Sequence, residues 1–451
     1  MPPGPRKLPI IGNMHQLMGS LPHHSLKSLA QKHGDLMHLK LGEISTIVAS
    51  SSRTAEAILK THDIAFADRP EFLAGRILFY NCSDITFSPY GEHWRQMRKL
   101  GILELLSNKV VRSFAPIRQD EVTKLVSSIR DKSCIGWVFG GHQDTLMELI
   151  KEVLAKSSGF DVSDIFPSWK ILPYISREKP KLLDLHNKID EIFELIIQEH
   201  VENPIGENNG EFGQEDLVDV FLRIKQSGDL KFPVTNTNIK AIFMNVFVGG
   251  TETSAIVVEW AMAEMIKNPD VLKKAQSEVR KLVPAGKKTV EEIDILKLNY
   301  LNLVIKETLR FHPPVPLLVP RDCRELCEID GYIIPLKTRI IINAWAIGRD
   351  PKYWDEPEKF VPERFENNPI DFTGQHYEYL PFGAGRRMCP GISFGLANVE
   401  IPLANLLYHF DWKLPDTSNG VDLDMTEAYR VTAPRKNNLF LVPSMCGCVG
   451  N

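Results

Sequence analysis

The chain has 451 residues, 43% of them hydrophobic and 24% charged, with a formal net charge of −4. That length and balance describe a globular protein with a large core and one or two domains, and exclude a disordered or fibrous chain. No basic excess points to nucleic acid as a partner. Seven cysteines, an odd and sparse set, argue against a disulfide scaffold and for a reducing compartment.

Residues 1–13 open on Pro2-Pro3-Gly4-Pro5, a stiff arm read as a hinge whose upstream segment is lost. A soluble protein that begins with a proline-rich arm fits the same composition. No signal peptide precedes the first motif. The best apolar run, Ala241 to Val248, is shorter than the ~20 residues a bilayer requires. Residues 14–451 read as a single domain without internal repeats.

In chain order, Leu36–Leu41 and Ser45–Ala49 read as strands, and Ala55–Thr61 as a helix that follows a Ser-rich cap. Glu92–Leu106 suits a helix carrying Arg95, Arg98 and Lys99, and Leu182–Val201 is strongly helical. Asn236–Lys267 reads as one long, mostly apolar and therefore central helix. It contains Gly249-Gly250, which costs about 1 kcal/mol per glycine in a helix interior. Asn299–Phe311 is a helix ended by Pro313-Pro314. Strands at Tyr332–Ile334 and Arg339–Asn343 follow, and the last helix spans about Ile392–Phe410. The expected fold is mainly α with small β-sheets, not a doubly wound sheet.

The strongest chemical signal is Phe382-Gly383-Ala384-Gly385-Arg386-Arg387-Met388-Cys389-Pro390-Gly391. Glycines on both sides of Cys389 let backbone approach a flat cofactor closely. The helix after Pro390 points its positive end back at the sulfur, which lowers the thiol pKa and stabilises a thiolate. A thiolate ligand donates electron density to haem iron and favours O–O cleavage. Arg387, two residues before the ligand, is placed to meet a haem propionate. A buried structural cysteine in a glycine-rich turn is the plainer reading of any lone cysteine. The register of Phe382, Gly385, Arg387, Cys389 and Gly391 favours the ligand.

In that register the chain resembles the cytochrome P-450 superfamily, from Pro2 to about Pro443. The resemblance implies haem b as cofactor and Cys389 as its iron ligand. Phe382, Gly385 and Arg387 would contact the haem from the cysteine loop. Glu307 and Arg310, three apart on one helix face, and Arg364 in Pro362-Glu363-Arg364-Phe365 match the family's buried Glu–Arg–Arg network. Taken alone, the first two are a common surface ion pair.

Gly249-Gly250-Thr251-Glu252-Thr253-Ser254 loosens the long helix, because a threonine hydroxyl can bond a preceding carbonyl. By resemblance Thr253 is the oxygen-side alcohol and Glu252 its acidic neighbour, and together they would deliver protons. A kinked core helix with a satisfied threonine is the structural alternative. Trp94 and Arg98, four apart on one helix face, would hold a propionate, as would Arg321 after Pro320. Read singly, Trp94 is a core aromatic and Arg98 a solvated cation.

No G-x-G-x-x-G fingerprint for flavin or nicotinamide is present. The resemblance therefore implies electrons from a separate NADPH–cytochrome P-450 reductase. Arg95, Lys99, Lys109 and Arg386 form a candidate basic docking patch, or are ordinary solvated charges. Pro2–Pro5, Leu8–Asn13, Phe66-Ala67-Asp68-Arg69-Pro70 and Trp94–Lys99 are similar to plant microsomal members, especially the group holding terpenoid hydroxylases. That implies a small hydrophobic substrate, dioxygen, and a place on the cytosolic face of the endoplasmic reticulum membrane. Candidate pocket segments are Arg76–Ile85, Ile242–Gly249, Val315–Val319 and Tyr429–Ala433.

Two departures stand out. The family's amino-terminal anchor is not in this chain. Between Asp131 and Gly140 the family has one more helix of the central bundle, which this chain lacks, so haem retention is expected to suffer. Two other readings stay open: a haem-thiolate isomerase or dehydratase, and a haem-binding protein inactive for want of that helix.

Overall fold

The computed structural model describes residues 1–131, 142–157, 161–202, 216–227, 233–284, 286–415, 423–428 and 430–446. The expected loss of a helix between Asp131 and Gly140 falls outside the described residues.

The architecture is mainly helical with small sheets, as expected. The central helix runs Asn236–Lys267, interrupted at Val248–Glu252 by a turn of π-helix. Thr251 and Thr253 cause the widening from within, since each hydroxyl donates to the carbonyl four residues back, on Phe247 and Gly249. Beyond the turn almost every residue from Ser254 to Ile266 is buried. That half packs against the helix Ile392–His409, which follows the cysteine, and against Asn299–Phe311. Trp260 anchors the junction: its indole N–H donates to the Ala433 carbonyl (2.9 Å) and its ring stacks on His312 (3.8 Å). By length and composition this 32-residue helix would suffice to cross a bilayer, which the shorter run Ala241 to Val248 did not reveal. Here its apolar faces are packed within the core.

The main sheet has four strands in the order β1 (Leu36–Leu41), β2 (Ile44–Ala49), β6 (Arg339–Ile342), β3 (Arg321–Asp322). β2 and β6 are parallel, the outer pairs antiparallel. β4 (Cys327–Ile329) pairs with β5 (Tyr332–Ile334), and β7 (Phe410–Lys413) with β8 (Val442–Met445). The main sheet, with the β4–β5 hairpin, contributes to two apolar clusters, around Ile47 and around Met37, while Phe410 and Trp412 of β7 join the core around the central helix.

The proline-rich arm is stitched to this sheet. His38 N donates to the Pro3 carbonyl (2.9 Å), and Asn13 Nδ2 donates to the carbonyls of Pro5 and Arg6 (both 3.2 Å). A third cluster, spanning Phe79, Ile85, Phe193, Phe221 and Phe243, roofs the space between the sheet and the central helix.

Candidate active site

The cysteine loop is shaped by two left-handed glycines, Gly383 (φ +69) and Gly385 (φ +68). A side chain at Gly385 would collide with the Leu59 carbonyl, so only glycine fits this turn. Cys389 N donates to the Phe382 carbonyl (3.0 Å), which returns the chain so that the sulfur faces a cavity. Cys389 is open to that cavity and otherwise enclosed by protein. Burial pushes its thiol above the ordinary range, while the Gly391 N–H and the Arg98 guanidinium act in the opposite direction. The helix-end stabilisation expected from the sequence is thus present in kind, but desolvation outweighs it. A positive partner such as a metal ion would stabilise the thiolate here.

On one side of the same cavity four guanidiniums converge: Arg69, Arg98, Arg321 and Arg387. Arg387 donates to the carbonyls of Ala67 (2.8 Å) and Ser88 (2.6 Å), Arg98 to Met388 (2.6 Å), and Arg321 to Ala384 (2.9 Å). Arg69 donates to the carbonyls of Thr86, Val319 and Pro320. Arg321 also pairs with Asp63 (3.1 Å). Burial, then the neighbouring Arg321 and Arg98, push the Arg387 pKa down to about 9. Burial likewise depresses Arg69, and Arg387 adds to the effect. A buried cluster of like charges is stabilised by an anion in its midst. A flat dicarboxylate whose metal faces Cys389 meets both requirements, so the residues present fit haem.

Trp94 is buried between Arg387 and Arg98, whose Cζ atoms lie 4.2 and 5.5 Å from its ring centroid. Its indole N–H donates to the Ile85 carbonyl (3.0 Å) and not into the cavity. Phe382 lines the cavity and packs edge-on against Phe372. Thr253 and Gly249 face the sulfur from the central helix. Glu252 points elsewhere: it is buried behind the widened turn, with Oε1 3.4 Å from Arg430 Nη1. Burial pushes its carboxyl up against the opposing pull of Arg430. The structure therefore separates Glu252 from Thr253, which the sequence had set side by side.

The Glu–Arg–Arg network is formed. Arg310 grips Glu307 with both prongs of its fork (2.7 and 2.8 Å), and Arg364 Nε and the Val361 N–H reach the same Oε1 (3.0 and 2.8 Å). Glu307 and Arg310 are fully buried, and the remaining Arg310 donors go to the carbonyls of Gly348, Pro357 and Lys359.

The cavity wall is apolar and drawn from all four segments anticipated, through Phe79 and Ile85, Val248, Val315 and Leu318, and Val431. Tyr429 lies outside the described residues. Sequence reasoning missed Arg69, Phe87, Leu154 and Ser157. Arg69 stands in a motif quoted for its resemblance, Phe66-Ala67-Asp68-Arg69-Pro70, and that was the available signal. Nothing marked Leu154 and Ser157, whose approach depends on how the helix His142–Lys156, which carries Leu154 and ends just before Ser157, packs. In the proposed docking patch, Arg95 pairs with Glu92 (2.9 Å) and Arg386 with Asp63 (3.3 Å).

A mainly helical fold that presents one thiol beneath a cavity, with arginines along one edge, defines the haem-thiolate class of oxygenases. The chain belongs to the cytochrome P450 family, which it matches over residues 2–136 and 132–442, two segments that meet where a helix was expected to be missing. It is 54% identical to premnaspirodiene oxygenase of Hyoscyamus muticus over 98% of this chain and 92% of that one. It is 52% identical to 5-epiaristolochene 1,3-dihydroxylase of Nicotiana tabacum and to tabersonine 3-oxygenase of Catharanthus roseus, over the same shares. The chain is a cytochrome P450 monooxygenase that uses a haem-thiolate cofactor.

Proposed function

We propose that this monooxygenase hydroxylates a small hydrophobic plant metabolite, a terpenoid, with haem b held by Cys389. Its electrons come from an NADPH–cytochrome P450 reductase, and it works on the cytosolic face of the endoplasmic reticulum membrane. The observation that carries the reading is that Cys389, Thr253 and an apolar wall open onto one cavity. Relatives named as oxygenases of premnaspirodiene and 5-epiaristolochene support a terpenoid, while tabersonine 3-oxygenase marks an alkaloid as the competing class.

When bound, haem activates dioxygen for insertion of one oxygen atom into a C–H bond. Cys389 would hold the iron, and Arg98, Arg321 and Arg387, with Trp94 packed between two of them, would neutralise the propionates. Thr253, whose hydroxyl donates to the Gly249 carbonyl, holds the widened turn open and presents a hydroxyl to the oxygen side. Glu252, buried behind it and 3.4 Å from Arg430, is a proton reservoir beside the cavity. Phe79, Ile85, Phe87 and Leu318 exclude bulk water and orient a substrate that offers few polar handles.

Exposed Trp169, Ile171, Tyr174 and Ile175 support a membrane-facing surface. The turn at Gly42-Glu43 joins them to the arm bearing exposed Leu8 and Ile10, through Glu43 N to the Ile165 carbonyl and Gly42 N to the Ile11 carbonyl.

The test is reconstitution of the haem-loaded protein with a plant reductase and NADPH, screening sesquiterpene and monoterpene hydrocarbons by mass spectrometry. Oxygenated products are expected. Turnover of indole alkaloids alone would overturn the terpenoid assignment.

A further inference from the structure

The segment from Phe79 to Phe87 forms part of the cavity ceiling and is held in an unusual way. Tyr80, Asn81 and Cys82 are three successive non-glycine residues in the left-handed region (φ +50, +60 and +54). Such a run persists only when its surroundings over-determine it. Downstream, Asn245 of the central helix supplies the restraint. Its Oδ1 accepts from the Ile85 N–H (2.9 Å), the Thr86 N–H (3.0 Å) and the Thr86 hydroxyl (3.2 Å). Its Nδ2 donates to Asp84 Oδ1 (3.0 Å), which also accepts from the backbone of Thr86 (2.7 Å) and Phe87 (2.9 Å). Asp84 has no exposed surface, and its second oxygen has no hydrogen-bond partner among the described residues.

The other edge of the same two residues belongs to the arginine cluster. The Ile85 carbonyl accepts from Trp94 Nε1, and the Thr86 carbonyl from Arg69 Nε (2.9 Å). Ile85 and Thr86 therefore form a strap between the cofactor edge and the central helix. Asn245 stands one turn before Gly249, and both line the cavity together with Ile85 and Phe87. A shift of this strap moves the ceiling relative to the sulfur.

We propose that Asn245 and Asp84 are positioning residues that set the cavity ceiling and so select which carbon of the substrate is oxidised. This rests on reading the cavity as the substrate pocket over the haem. Neither residue needs to touch the reacting atoms. They act through the side chains of Ile85 and Phe87, and reactions of this kind are sensitive to displacements of about 1 Å.

The test compares Asn245→Leu, close in size but without hydrogen bonds, with Asn245→Asp in the haem-loaded enzyme plus reductase. In the aspartate variant the buried pair would share one proton with Asp84, so that donor and acceptor are both retained. The leucine variant is expected to keep the thiolate-type carbon monoxide spectrum while shifting the ratio of oxidised products about tenfold, inside the hundredfold range that a 1 Å displacement can produce. It should also speed amide hydrogen exchange at residues 79–87, and the aspartate variant should stay near wild type in both readouts. Should the leucine variant fail to hold haem, Asn245→Ala takes its place. An unchanged product ratio and unchanged exchange in the leucine variant would overturn the proposal, as would equal changes in both variants. The exchange readout needs no substrate. It therefore separates failure of this proposal from failure of the terpenoid assignment, which would show as a wild type that oxidises no terpenoid.

Discussion

Arg387 lies over the face of Trp94, its Cζ 4.2 Å from the ring centroid, and both side chains converge on one acceptor, the Ile85 carbonyl. The tryptophan thus packs against Arg387 and shares its backbone acceptor. Replacing Trp94 by Ala removes a buried ring and a desolvated cation–π contact. The expected cost is about 3–5 kcal/mol of stability, with haem loss at lower temperature than wild type. The haem-to-protein absorbance ratio during thermal melting checks it.

Glu307 is the hub of a fully buried ion network, and its removal strands two guanidiniums. Glu307→Ala is expected to cost about 3–5 kcal/mol, far more than loss of an exposed, solvent-screened pair such as Lys60–Glu56. Denaturant unfolding of the two deletions side by side measures the difference. Equal losses would contradict the energetic role given to burial.

Cys389 packs no core of its own, since its sulfur borders the cavity. Cys389→Ser is therefore expected to leave the apoprotein's melting temperature within about 2 °C, the effect of some 0.5 kcal/mol or less in a chain of this size. It should abolish the thiolate-type carbon monoxide spectrum and product formation. Unchanged oxidation would refute the assignment of the iron ligand.

Glu400 carries a pH signature of its own. Burial, and secondarily Glu292, raise its pKa to about 7. A carboxyl raised above its unfolded value favours the folded state while protonated. That contribution is complete below the unfolded pKa of 4.5 and is lost as pH rises through about 7. Glu400→Gln should therefore flatten the fall in stability between pH 5 and pH 8, with its gain seen at the alkaline end. Urea unfolding at both pH values tests the sign.

Ile171 and Ile175 stand exposed beside Trp169 and Tyr174. If this face meets the membrane, Ile171→Asp with Ile175→Asp should lower partitioning to phospholipid vesicles about tenfold or more, through lost apolar burial alone. Co-sedimentation is the measurement, and unchanged binding would move the membrane contact elsewhere.

Local order was readable along the chain with little error. The central helix, the helix Asn299–Phe311 and strands β1 and β5 fall on the residues expected. Hydrophobic periodicity, caps and prolines are local, and these elements obey them. The Gly249-Gly250 anomaly likewise forecast a widened turn, because threonine back-bonding involves only the preceding four residues. Glu252 was harder: adjacent residues on a helix point about 100° apart, and only the packing of the loop bearing Arg430 shows which one faces the cavity.

By itself the sequence singled out the cysteine loop, the glycines that shape it, and the Glu307–Arg310 pair, since each depends on residues within a few positions of one another. Tertiary structure alone decided that Arg69 and Arg387 meet Thr86 and Ile85, that Asn245 restrains the ceiling, and that the net direction of the Cys389 thiol is upward. Those are consequences of desolvation and of contacts that join residues 17, 160 and 302 positions apart. Burial and distance in space come into being only when the chain has closed on itself.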